Sequence, residues 1–292
     1  MTFRLGRLPR GHDPRIPHLS ALRLAFPDTR PGTPTTALPD WLTRIPDLNV
    51  LGMMENDRYG CCVEAGSYHA LQVLSSQMNP DGLIITEPDL DVLKAYELAT
   101  GFDPTIPGSD QGTDMQTYLQ LWLTTGIPTG QQAESRHRCV GYAEIDPRNH
   151  LDVRQVIEEC GFVYVGFEVP NYIMGPEGDA PLATWVGPAA GDDTTISGGH
   201  CVIGVKETLA GLEVISWGAV YTMGWDFWDR YVDEAYAVVD RDWGNAKGTP
   251  FGIPLPTLAA QMHALSAPPR PAASLEPHVH SGVETSGPAE SA

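Results

Sequence analysis

The order of patterns along this chain predicts an α+β fold, with a helical lobe followed by a mostly antiparallel β lobe. Three observations predict it. Helix-type periodicity is concentrated between residues 62 and 160. Runs rich in β-branched and aromatic residues dominate from residue 162 to residue 239. Two of those runs are joined by a connection of hairpin length.

In chain order, the first helix starts at Cys62 and runs to about Gln77, with apolar Val63, Tyr68, Leu71 and Leu74. The second covers about Asp89–Thr100 and is stopped by Gly101. The third covers about Asp114–Thr125, with Thr113 as the expected N-cap and Gly126 past its end. The fourth covers about Leu151–Cys160, again followed by glycine, Gly161. Phe162–Val169 is the first strong strand. His200–Lys206 and Leu212–Trp217 follow, paired antiparallel across Glu207–Gly211. Ala235–Val239 is the last strand, and a short helix near Leu255–Leu265 closes the body.

The chain has 292 residues, 42% hydrophobic and 19% charged, ample for a real core. Residues 1–40 form a proline- and arginine-rich arm, in which His18–Phe26 is expected to make one turn or strand lying on the body. Residues 41–265 form the body. Residues 266–292, rich in Ser, Ala, Pro, Gly and Glu, form a tail expected to be disordered. The net charge is −19. Seven Arg stand against three Asp in residues 1–44, so a basic leader of +4 precedes an acidic body of −23. Such an arm suits docking on the body or on an acidic partner, including a neighbouring subunit. The acidic body argues against nucleic acid as a partner. No run reaches membrane-span length, and no apolar stretch follows the basic start, so neither a membrane nor a secretion signal is expected. A soluble protein in a reducing compartment fits the five unframed cysteines, Cys61, Cys62, Cys139, Cys160 and Cys201. Neither a metal nor a cofactor is expected. The cluster Asp192-Asp193 lacks cation-loop spacing and reads as a solvated loop or the rim of a cleft.

Three segments carry chemistry. In Glu55–His69, a polar turn ends in Gly60 and two cysteines open a helix. A thiol there meets the positive end of the helix dipole and free amides, which favour the nucleophilic thiolate. In Ser197–Val205, two glycines admit close approach of another chain, and His200 stands at the entrance to an apolar strand, placed to act as a base. In Val214–Trp225, Trp217 follows one strand later and would cover the imidazole. Trp225, Trp228 and Trp243 read as core.

A Gly-x-Cys helix start, then Gly-Gly-His, then Ser-Trp-Gly, resembles the papain-like cysteine peptidases over about Leu51–Val239. In finer detail the text is similar to phage-encoded papain-like proteins of unassigned role. Those share Asn-Asp-x-x-Gly-x-Cys, Asp-x-Gly before a helix, and an acidic segment that here is Val232–Val238. The resemblance implies a cleft between the lobes and an amide hydrolase acting on a protein or peptidoglycan peptide. It implies a cytoplasmic or virion-associated setting. Cys62 would be the nucleophile and His200 its base. Asn56, six residues before Cys62, would hold the oxyanion with the Cys62 amide. Cys61 offers the neighbouring register, but Gly60 and Asn56 favour Cys62. Ile215 stands where the family has the asparagine that orients the histidine. Ser216, Asp226 or a backbone carbonyl would then take over that task, the protein would run on a Cys-His dyad, or the fold would serve as a non-catalytic binding or virion structural module.

Overall fold

The computed structural model describes residues 3–25, 40–45, 47–78, 88–130, 135–175, 180–247 and 253–266. The helical lobe is built around α2 (Cys62–Met78). This helix is buried along nearly its whole length, including Glu64, Ser67, His69, Gln72 and Ser76. A helix buried on all sides must satisfy its polar side chains internally. Ser67 Oγ donates to the Glu64 carbonyl, Gln72 Nε2 to the Val50 carbonyl and Ser76 Oγ to the Val73 carbonyl. The flanking helices α3 (Pro88–Thr100) and α4 (Met115–Thr124) pack against it.

The predicted cap of α4 is off by one residue. Asp114 is the N-cap, and its carboxylate accepts the Thr117 N–H at 2.8 Å. Thr113 is engaged elsewhere: its backbone pairs with the N-terminal arm, and its hydroxyl donates to Glu64 at 2.7 Å.

The β lobe is one seven-stranded sheet, which in chain order contains β3 (Cys139–Ile145), β4 (Val163–Pro170), β5 (Thr184–Trp185), β6 (Ile196–Thr208), β7 (Gly211–Ser216), β8 (Ala219–Gly224) and β9 (Val232–Asp240). The spatial order is β3-β9-β4-β6-β7-β8-β5, antiparallel except for the β5–β8 pair. A separate two-stranded ladder joins β1 (Ile127–Pro128) to β2 (Arg136–His137). The β6–β7 hairpin is tighter than predicted, because Thr208 already pairs with Gly211. The helix α5 (His150–Cys160) ends at Gly161, which takes φ +85°, a left-handed turn that favours glycine. The helices α6 (Trp225–Tyr231) and α7 (Arg241–Lys247) flank β9, and α8 (Leu255–Ser266) packs on β3 and α4. Trp228 and Trp243 are core, whereas Trp225 is half-buried and stacks on His150.

The arm follows its own body. His18–Phe26 was expected as a turn or strand; Leu19–Ala25 is a helix, α1, with Ile16, Leu19 and Leu22 buried near β3. Phe26 and residues 267–292 lie outside the described residues.

Candidate active site

The two lobes face each other across residues 3–8 of the arm. On the helical side, the Leu8 N–H donates to the Thr113 carbonyl at 3.0 Å, and the Thr113 N–H to the Gly6 carbonyl at 2.7 Å. On the sheet side, the Arg7 N–H donates to the Gly199 carbonyl at 3.1 Å. Further out, the Arg4 N–H donates to the Asn56 carbonyl at 3.0 Å, and the Trp217 indole to the Arg4 carbonyl at 3.3 Å. The arm is thus an extended peptide held by backbone bonds to both lobes. Glycine allows the contact: a Cβ on Gly6 would lie 1.8 Å from the Gly60 carbonyl oxygen, and one on Gly199 would lie 2.4 Å from the Arg7 carbonyl oxygen.

Cys62 opens α2 directly beneath this peptide. The backbone amides of Gly6, in the arm, and Cys201, the residue after His200 on β6, bear on its thiol electrostatically. These amides and Arg7 favour the thiolate, but burial prevails and pushes the thiol up to about 12. Cys61 turns the other way, its Sγ donating to the Met54 carbonyl at 3.5 Å. All five cysteines are free, so Cys61 and Cys62 are not joined.

His200 lies on β6 in an aromatic cage. Trp217 stacks on the imidazole at 4.0 Å between centroids, with 16° between planes. Phe167 meets it edge-on at 5.8 Å. The Nε2 atom shares a 2.6 Å hydrogen bond with Ser216 Oγ, and Nδ1 is buried without a partner. Burial, helped by Arg7 and His69, drops the imidazole to about 3. Cys62 and His200 are each 1% exposed, and no hydrogen bond joins them. Burial thus favours the neutral form of both the thiol and the imidazole.

Ser216 therefore occupies the orienting position that motif matching assigned to Ile215. Side chains alternate along β7, so Ser216 faces His200 and Ile215 enters the core. Asp226, the other candidate side chain, instead accepts the amides of Gly187 and Phe227. Asn56 lies beside the arm, 2% exposed, with its amide nitrogen donating to the Tyr59 carbonyl at 3.0 Å. Of the three non-glycine residues with positive φ among the described residues, Met54, Glu55 and Trp217, Trp217 stacks on His200 and the Met54 carbonyl accepts from Cys61. Backbone strain of that kind persists only where surrounding contacts enforce it. The acidic loop at Asp192 and Asp193 is exposed and bonds to its own neighbours. No group of three or more His, Cys, Asp or Glu among the described residues is arranged to hold a metal ion.

The Asp-x-Gly and acidic Val232–Val238 segments were legible as motifs, but what they bind was not. Asp110 accepts the Gly60 N–H at 3.0 Å and the Tyr96 hydroxyl at 2.7 Å, and that hydroxyl accepts the Gly112 N–H at 2.9 Å. This network fixes the turn before Cys62. Arg7 bonds Glu234 at 2.6 Å and Asp233 at 3.0 Å. The charge imbalance signalled such a contact without giving its address.

No protein-family model matches the chain. No curated protein is significantly similar to it. Solved structures do match. Xylellain, a cysteine protease from Xylella fastidiosa, superposes with a TM-score of 0.53 at 15% identity, over 82% of this chain and 97% of that one. Procathepsin B S9 from Trypanosoma congolense superposes with a TM-score of 0.50 at 11% identity, over 82% and 87%. The α+β fold of this chain is papain-like.

Proposed function

We propose that this protein is a papain-like cysteine hydrolase that cleaves amide bonds in an extended peptide, and that its N-terminal arm holds it latent. One observation supports the reading: a peptide strand already lies between the lobes, with Gly6 packed against Gly60, two residues before Cys62, and the Arg7 amide on the carbonyl before His200. A cleft that holds its own arm in this way suits a peptide substrate. The amide would belong to a protein or to a peptidoglycan peptide, the polymers a phage-encoded hydrolase would meet.

The chemistry follows from the residues. With the arm displaced, water enters, the thiol pKa falls and the imidazole pKa rises, so a proton passes from Cys62 to His200. Sulfur attacks the carbonyl carbon, and the carbonyl electron pair moves to oxygen. Asn56 and the Cys62 amide stabilise that oxyanion. As the C–N bond breaks, His200 returns the proton to the departing amine, leaving a thioester. Water, deprotonated by His200, then releases the acid and restores the thiol. Ser216 and Trp217 hold the ring in place throughout.

The arm covers the helix start that carries Cys62 and so blocks access to the thiol. The test uses Gly6→Val, whose side chain cannot fit against the Gly60 carbonyl. This chain should hydrolyse a fluorogenic peptide library, and Cys62→Ala or His200→Ala in the same background should stop it. Turnover that survives Cys62→Ala would sink the reading.

The neutral, unbonded pair of the closed state also fits a second reading, in which the arm is a permanent plug and the fold is a binding or virion structural module. Under it, Gly6→Val alters assembly with other chains and produces no turnover.

A further inference from the structure

Arg7 does more than lie in the cleft. Its side chain, 2% exposed, enters a pocket beside the thiol and ends on two carboxylates. Nη1 donates to Glu234 Oε1 at 2.6 Å, and Nη2 pairs with Asp233 at 3.0 Å. The pocket is built independently of the arm. The other oxygen of Glu234 accepts the Tyr236 hydroxyl at 2.7 Å, and that hydroxyl accepts Gln116 Nε2 at 3.0 Å. The wall on β4 is Gly166, where a Cβ would lie 2.8 Å from Arg7 Cδ and 2.7 Å from the Met115 sulfur. The pocket is therefore narrow, has a fixed acidic end, and is deep enough for a long stem.

When the arm leaves, Glu234 keeps the Tyr236 hydroxyl but loses its guanidinium partner, and a cation that enters the pocket restores that pairing. A planar guanidinium meets both carboxylates, whereas an ammonium presents a single point of charge. Arg7 donates its backbone N–H to Gly199, the residue before His200, and Gly6 packs on Gly60, two residues before Cys62, so the pocket lies next to the reacting position.

We infer that the pocket closed by Glu234 and Asp233 selects an arginine side chain of the peptide substrate, close to the scissile bond, and that Arg7 occupies it as an internal mimic. This rests on the hydrolase reading. A bound arginine aligns the neighbouring amide with Cys62 and discriminates against neutral and acidic residues through the desolvated carboxylate.

The test uses the full Gly6→Val chain, which displaces the arm and leaves the pocket untouched. It is treated with peptidyl epoxide probes that differ in one residue: arginine, lysine, citrulline or leucine. Iodoacetamide labelling of Cys62 runs in parallel. The arginyl probe should label Cys62 about tenfold or more faster than its isosteric citrullyl and leucyl counterparts. Glu234→Gln should erase that preference. Asp233→Asn, a change at a half-exposed position, should weaken it without threatening the fold. Equal rates for all probes, or no probe labelling while iodoacetamide still modifies Cys62 rapidly, would overturn the pocket assignment and leave the hydrolase reading standing. Iodoacetamide labelling no faster than at an ordinary thiol would overturn the hydrolase reading and the assignment with it.

Discussion

Cys61 and Cys62 are adjacent, both are buried, and burial pushes both thiols up. Their surroundings differ in what faces the sulfur. Cys61 donates to the carbonyl of Met54 inside the helical lobe, which suits a protonated thiol that serves packing. The amides of Gly6 and Cys201 and the Arg7 charge favour a thiolate at Cys62, and burial, to which the arm contributes under the proposed function, opposes it. Under the proposed function, reactivity at this helix start is set by one residue of register and by a segment some fifty residues upstream. Removing the arm should change one cysteine and leave its neighbour as it was.

The largest effect that would sharpen this contrast is on turnover. In the Gly6→Val chain, Cys62→Ala should lower peptide hydrolysis by on the order of 10⁴-fold. Cys61→Ala should leave kcat near its parent value and cost about 1 kcal/mol of stability in denaturant melts. Next comes thiol reactivity. Each unit by which the Cys62 pKa falls multiplies the thiolate fraction about tenfold, so Gly6→Val should speed alkylation of Cys62 at pH 7 by roughly 100-fold. Cys61 should stay unlabelled, as peptide mass mapping would show.

The pH dependence of stability is a third handle, and its sign follows from three buried groups. His200 and His69 fall from the usual 6.5 to about 3 and about 4, so the unfolded chain binds more protons below pH 6.5. Their neutral burial favours the fold above 6.5, and that advantage is lost as pH falls. Glu64 rises from 4.5 to about 8, so its stabilising protonated form is lost as pH climbs through that range. Together the three groups place maximum stability near pH 6.5. Melting curves of Glu64→Gln should show a flatter alkaline limb.

Smaller again is the effect of Ser216→Ala. It leaves the second ring nitrogen of His200 without a partner, costing about 1–3 kcal/mol. It should lower kcat of the opened chain by about tenfold through a loosened imidazole. Adding Ile215→Asn should not restore that loss, because position 215 faces the core.

Much of this was legible in the sequence, for physical reasons. A glycine before a helix-opening cysteine and two glycines before a strand histidine announce backbone approach, and the approaching backbone is the chain's own arm. The first, second and fourth helices started and stopped within a residue of expectation, because Gly101 and Gly161 end helices by their own conformation. The basic leader on an acidic body announced docking. Other features have no local signature. Which residue of the β6–β7 hairpin faces His200 depends on a register shift between Gly204 and Lys206, so Ser216 and Ile215 could not be told apart. An extended proline-rich arm has no periodicity to reveal its path. Asp110 and Glu234 fall in segments that the resemblance marked, but their partners, Gly60 and Arg7, lie far away in the chain and leave no local signature.

Under the proposed function, Cys62 and His200 form a reactive pair kept closed by the arm. The most direct measurement is the rate of Cys62 alkylation against pH in three full-length chains: the native sequence, Gly6→Val, and Gly6→Val with His200→Ala. The account predicts slow alkylation of the native chain below pH 9. It predicts fast alkylation of Gly6→Val from near neutral pH, and loss of that neutral-pH reactivity when His200 is also replaced. Superimposable profiles for the three chains would contradict it.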